Sequence, residues 1–219
     1  MIKQSTFDFL RQLAENNNKT WFDENRASYD LAKSNFIEFL DGLIAKISLF
    51  DHHLEGLNAK DCMFRINRDV RFSKNKEPYK TNFGAYITFG GKNAEYAGYF
   101  IHIKPGDCFL GGGMYKPATP VLRRIRQEID YNPSHLKEII NNEIFVNTFG
   151  EIQGEKLASA PKGYPKDHPE IELLKLKSYF VIHKLNENEL LAENAQQHCA
   201  ELFQVAFPFN KFFNETFIS

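Results

Sequence analysis

The chain is predicted to be an α+β protein, a meander-like antiparallel sheet packed against several helices in a single domain of residues 1–219. Three observations predict this. Apolar residues recur at three-to-four spacing before residue 50 and again after residue 119, the period of helices that bury one face. Between Lys60 and Leu110 the pattern changes to short aromatic and β-branched runs separated by Gly-containing turns, the pattern of antiparallel strands. The composition, 42% hydrophobic and 25% charged with 21 Phe and 9 Tyr, supplies one large aromatic core.

Taken in order, Ser5 or Thr6 can cap a short helix carrying Phe7, Leu10 and Leu13, which the Asn16-Asn17-Asn18 run interrupts. Thr20-Trp21-Phe22-Asp23 has capping-box form, and Phe22, Tyr29, Phe36, Leu40, Leu43 and Ile47 mark one helix running to about Leu49. Strands are expected near 61–67, 84–89, 96–104 and 107–111, with Gly90-Gly91-Lys92-Asn93 and Lys104-Pro105-Gly106-Asp107 as hairpin turns. Thr119-Pro120 offers an N-cap and a first-turn proline for a helix through Leu122, Ile125 and Ile129, with more helix from 134 to 148. The stretch 150–170, with Gly154, Pro161, Gly163, Pro165 and Pro169, reads as a long ordered loop. Leu176 to Leu185 reads as a strand, and 187–206 and 208–217 as helices, Phe209, Phe213 and Phe217 lying four apart.

A net charge of -1 gives no global case for nucleic acid or an anionic membrane, so any anion site must be local. Cys62, Cys108 and Cys199 are odd in number and lack CxxC spacing, which suits buried thiols in a reducing compartment rather than disulfides or a thiolate metal site. With no signal-like N-terminus and no stretch of roughly 20 apolar residues, the cytoplasm is the expected compartment and no membrane association is expected. No cofactor motif is present: GxxxxGK[ST], GxGxxG and GxSxG are all missing. His52-His53 lacks further ligands at metal spacing, so no metal is expected. Nothing in the sequence indicates an oligomeric state.

One segment concentrates charge. Arg65 to Lys80 carries six basic residues against Asp69 and Glu77. Its pattern, Arg65-x-x-Arg68-Asp69-x-Arg71-Phe72 followed by Lys76-x-Pro78-Tyr79-Lys80, resembles the signature of the bacterial family catalogued as domain of unknown function 2461. The similarity extends from Trp21-Phe22 through Gly111-Gly112-Gly113-Met114-Tyr115 to Gly163-Tyr164-x-Lys166-Asp167-His168-Pro169, nearly the whole chain. The resemblance implies a co-extensive single domain and carries over no activity, ligand or catalytic residue.

The chemistry must therefore come from the residues. In an extended run Phe64 and Ile66 share one face, and Arg65 and Asn67 the other. Arg65, Arg68 and Arg71 are multidentate donors suited to phosphate or carboxylate, with Lys76, Tyr79 and Lys80 at the edge of such a site. The expected partner is a small anionic or phosphorylated ligand, and at least one arginine should keep donors facing a pocket. The alternatives are an internal salt-bridge network with Asp23, Glu24, Asp167 or Glu172, which would make this a structural or protein-interaction domain, and a solvated face. Nucleic acid is disfavoured by charge, although Phe72, Tyr79 and Phe83 interleave with the basic residues as stacking rings do. Gly112 and Gly113, in the triple-glycine run, offer backbone N–H groups to an anion or else form a bulge. If chemistry occurs, Asp69 or His102 is the acid–base candidate.

Overall fold

The computed structural model describes residues 1–216. Four strands, β1 (Phe83–Ile87), β2 (Gly98–Ile103), β3 (Cys108–Met114) and β4 (Tyr179–Leu185), pair antiparallel in the order β1-β2-β3-β4. Each strand neighbours the next in sequence, which is the expected meander, with helices before, within and after it. The chain divides into two compact units. One comprises Met1–Lys92, Phe100–Leu110 and Lys184–Glu201; the other comprises Asn93–Tyr99, Gly111–His183 and the chain from Leu202 onward.

In the first unit, α1 (Gln4–Glu15) buries Phe7, Leu10 and Leu13. Its predicted caps are not used. Thr6 lies inside the first turn and donates its hydroxyl to Asn35 Oδ1 at 2.8 Å, which also accepts from Lys3 N at 2.8 Å. A buried amide from a later helix thus satisfies the helix start. The helix expected from Thr20 to about Leu49 is two: α2 (Lys19–Glu24), capped by Asn18, and α3 (Arg26–Ile47). Asn25 breaks them apart by turning its Nδ2 onto Trp21 O at 2.9 Å, a local bond that competes with helix continuation. The buried stripe on α3 contains the predicted Tyr29, Phe36, Leu40, Leu43 and Ile47, with Ala32, Asn35, Phe39 and Ile44 added.

The strand expected near 61–67 is replaced by a short helix, α4 (Ala59–Cys62), and an extended run. That run meets the chain before and within β1 through the isolated bridges Met63↔Ala85 and Asn67↔Tyr79. It leaves the pairing after Arg68, before a regular ladder can form.

In the second unit, β3 continues through the triple glycine to Met114, and all three glycines are buried. A Cβ on Gly111 would lie 2.4 Å from Val181 O, and one on Gly113, at φ 112°, would lie 2.1 Å from Tyr179 O. The glycines let two backbones approach side by side. The run is thus a packed stretch of strand rather than the expected bulge. The helix α5 (Thr119–Tyr131) takes Ala118 rather than Thr119 as its N-cap. The helix expected over 134–148 is α6 (Pro133–Ile140) and α7 (Glu143–Phe149), the second capped by Asn142. The loop 150–170 is tied by the bridges Gln153↔Phe180 and Lys156↔Leu176, and α8 (Ile171–Leu174) follows.

Beyond β4, α9 (Glu187–Leu191) carries a full Asn186/Glu189 capping box. The two helices expected over 187–206 and 208–217 divide elsewhere, because α10 (Ala195–Glu215) runs through Pro208. Pro208 and Gln204 are both exposed, so the carbonyl that proline leaves without a helical donor faces water. Phe209 and Phe213 are buried as expected. Phe217 lies outside the described residues.

The glycine contacts set a direct test. Gly113→Ala combines a forced backbone conformation with a collision against main chain, and should cost about 3 kcal/mol or more in urea unfolding. Gly106→Ala, at φ 74° with nothing within 4 Å of the new Cβ, should cost only about 1–2 kcal/mol. Equal losses would show that close approach is not what the triple glycine provides.

Candidate functional site

The first unit contains an open cleft of about 830 Å³. Phe22, Asp23, Arg26, Tyr29, Lys33 and Ile37 line it from α2 and α3, and Lys60 from α4. The extended run Met63–Asn67 supplies another side, with Tyr79, Lys80 and Lys92 completing it. Backbone pairing sets the register there: Phe64 N donates to Gly84 O at 2.9 Å, Lys80 N to Ile66 O at 2.8 Å and Arg68 N to Pro78 O at 2.8 Å. Ile66 and Tyr79 are buried there, while Arg65 is exposed and Lys80 half-buried.

Six basic side chains face this cleft: Arg26, Lys33, Lys60, Arg65, Lys80 and Lys92. Asp23 is the single carboxylate among the described lining residues, and it already pairs with Lys19 at 3.2 Å. Arg26 shares Asp30 at 3.3 Å and lies 5.2 Å from the Tyr29 ring centre. Lys33 stands 5.9 Å from the same ring. Lys92 donates to Asp61 O at 3.0 Å, and Lys80 to Arg65 O at 3.0 Å while standing 5.5 Å from the Phe64 ring. Among the described residues no hydrogen bond or ion pair engages the Arg65 guanidinium. Burial, and then the adjacent Arg65 charge, push the Lys80 ammonium below its ordinary value. Such a group of like charges favours an anion between them.

The rest of the motif behaves differently. Arg71 grips Asp69 with two bonds, Nε to Oδ1 at 3.0 Å and Nη2 to Oδ2 at 2.7 Å, and this pairing lowers the Asp69 pKa. Arg68 donates to Glu77 O at 3.1 Å and lies 3.6 Å from the Glu77 carboxylate. Lys76 donates to Val70 O at 3.0 Å. These residues tie the 68–78 loop to itself. Their partners are within the loop rather than Asp23, Glu24, Asp167 or Glu172.

Of the sequence-predicted site residues, Arg65, Tyr79 and Lys80 line the cleft, whereas Arg68, Asp69, Arg71, Lys76, His102, Gly112 and Gly113 do not. His102 stacks on Phe109 at 4.6 Å and 14°, with Asn82 Nδ2 3.4 Å from its Nδ1. Of the three rings that interleave with basic residues, Tyr79 and Phe83 are buried and Phe72 is 97% exposed. Burial pushes the Cys62 thiol up to about 11 and Cys199 to about 12, so neither is a ready nucleophile at neutral pH. Among the described residues no three His, Cys, Asp or Glu side chains gather as metal ligands. No described helix is long and apolar enough to cross a membrane.

Sequence reasoning missed Arg26, Lys33, Lys60 and Lys92. A signal existed for two of them: Arg26, Tyr29 and Lys33 fall at i, i+3 and i+7, a cation–aromatic–cation stripe on one helical face. Asn17 was also missed. Its amide accepts from Tyr79 N at 3.1 Å and donates to Tyr79 O at 2.9 Å, imitating a strand partner and holding one edge of the cleft.

Fold and site together define an α+β protein with a cation-lined cleft beside an internally paired loop. The chain matches the model of the family described as conserved hypothetical protein (DUF2461) over residues 5–212, and it belongs to that family. Searches of curated proteins and of solved structures found no match.

His102 gives the pH test for this region. Burial holds its pKa below 6.5, so the unfolded chain takes up the proton first as pH falls. The resulting stability loss begins as pH drops through 6.5 and is complete below the depressed folded value. His102→Phe should therefore lose less stability than wild type between neutral and acid pH in chemical denaturation. Equal loss in the two proteins would contradict the burial argument.

Proposed function

We propose that this protein binds a small ligand bearing phosphate or carboxylate groups, with Arg65 and Lys80 as the primary contacts. The observation that carries the reading is the imbalance in the cleft, six cations against one carboxylate already shared with Lys19, with the Arg65 guanidinium unengaged among the described residues. Guanidinium beside ammonium is a strong donor set for a tetrahedral or planar oxyanion. Tyr79 adds shape rather than charge, its ring stacked on Phe22 at 4.0 Å. Should chemistry accompany binding, neither Asp69 nor His102 is within the cleft to perform it. The three free, buried thiols fit a reducing compartment, the cytoplasm of a bacterium.

A second reading treats the motif as scaffolding for a structural or interaction domain. The Arg71–Asp69 and Arg68–Glu77 pairs favour it. It accounts for the loop and for the Arg26–Asp30 pair, and leaves the Arg65 guanidinium without a role.

Thermal unfolding separates the two. Phosphate or sulfate, titrated at constant ionic strength, should raise Tm saturably, because a ligand of the native state alone stabilises it by about 2.7 kcal/mol at a hundredfold excess over Kd. For a chain of this size that is roughly 5–10 °C. Arg65→Met should remove most of the rise, and Arg68→Ala should retain it. A flat wild-type response, or an equal response in Arg65→Met, leaves the scaffold reading.

A further inference from the structure

The distribution of cations specifies more than a single anion. Arg26 and Lys33 lie seven residues apart on α3, about 10 Å along the axis. Arg65 and Lys80 come from two paired extended segments, joined where Lys80 Nζ meets Arg65 O at 3.0 Å. Lys60, on α4, and Lys92 form a third group, Lys92 being held at Asp61 O at 3.0 Å. One phosphate group carries a charge of about −1.5 to −2 at neutral pH and so offsets two cations. Six face the cleft, and its volume of about 830 Å³ is far more than one phosphate group fills.

Resting on the reading of the cleft as an anion site, we propose that its ligand carries a chain of linked phosphates, two or three in number. Such a chain engages more than one of these groups of cations. One phosphate sits between Arg65 and Lys80, and the next reach toward Lys60 and Lys92 or toward Lys33 on α3. Three linked phosphates carry roughly four charges, close to the excess that the cleft presents. The buried rings support this rather than base stacking: Phe22, Tyr29 and Tyr79 are 4%, 7% and 6% exposed and pack on one another. Among the described lining residues, the half-buried Phe64 alone offers part of a ring to a ligand body. Recognition therefore rests on the phosphate chain, whether free or at the end of a nucleotide.

The test is calorimetric titration of the full chain with phosphate, pyrophosphate, tripolyphosphate and ATP, in EDTA and at matched ionic strength. Wild type, Lys33→Met and Lys60→Met are compared after circular dichroism has established that each is folded. Affinity should rise with the number of phosphates, tripolyphosphate binding about tenfold or more tighter than phosphate, as added charge-assisted contacts require. ATP should bind comparably to tripolyphosphate. At least one lysine variant should weaken tripolyphosphate about fivefold or more, by the same scale, and leave phosphate within about twofold. Saturable phosphate binding with no gain for tripolyphosphate overturns the chain and leaves the anion site standing. ATP binding without tripolyphosphate binding overturns it in favour of base recognition. Binding of none of the four removes the anion site and this proposal with it.

Discussion

The stacked rings between the N-terminal helices and the edge of the sheet fix everything around them. Phe22 lies flat on Tyr79 at 4.0 Å and 14°, and Phe36 on Phe83 at 5.4 Å and 12°. Tyr29 fills the space between, 5.0 Å from Phe22 and 6.4 Å from Phe83. Each such pair contributes about 0.5–1.5 kcal/mol beyond the area it buries. Their larger consequence is register. Tyr79 and Ile66 are buried beside the exposed Arg65 and the half-buried Lys80, so a slip of one residue would put charges where buried side chains now pack. The Asn17 amide, bonded to both polar groups of the Tyr79 backbone, holds this register from the helical side.

A single motif thereby divides into two kinds of arginine. Arg68 and Arg71 lie where the chain leaves the pairing, and they meet their needs within a short loop through Glu77 and Asp69. Arg65 lies within the pairing and faces the cations of α3 and α4 across the cleft. Burial first, and then the Arg65 charge beside it, depress the Lys80 ammonium, so a charge held there without a counter-ion costs stability. An anion beside Lys80 would offset that cost, which is the physical basis of the proposed anion site. In the second unit cations meet carboxylates directly: Lys137 meets Glu170, and Glu172 meets both Lys156 and Lys175.

Much of this was readable from the chain. Hydrophobic periodicity located the face of α3, β-branched and aromatic runs located the sheet, and the meander followed from short Gly-containing turns. The misses share a physical origin in asparagine. Asn18, Asn25 and Asn142 cap or break helices through side-chain bonds that periodicity does not register, which is why two predicted helices are four. Pro208 misled in the opposite direction, because its helical face is exposed and water satisfies the freed carbonyl. Gly111 to Gly113 read as an anion-binding run or a bulge and instead continue a packed strand, which only the opposing backbone at Val181 and Tyr179 reveals. The site was legible where motif and cleft coincide, at Arg65, Tyr79 and Lys80. It was illegible at Lys60 and Lys92, which sequence separates from the motif and folding returns to it.

The central claim is that Arg65 and Lys80 share an anion. The most direct measurement is an X-ray structure of crystals soaked in tungstate, a phosphate analogue that its anomalous scattering locates without ambiguity. The account requires an anomalous peak in the cleft, within hydrogen-bond reach of both the Arg65 guanidinium and the Lys80 ammonium. A cleft without tungstate, and with Arg65 folded onto a carboxylate of its own chain, would contradict it.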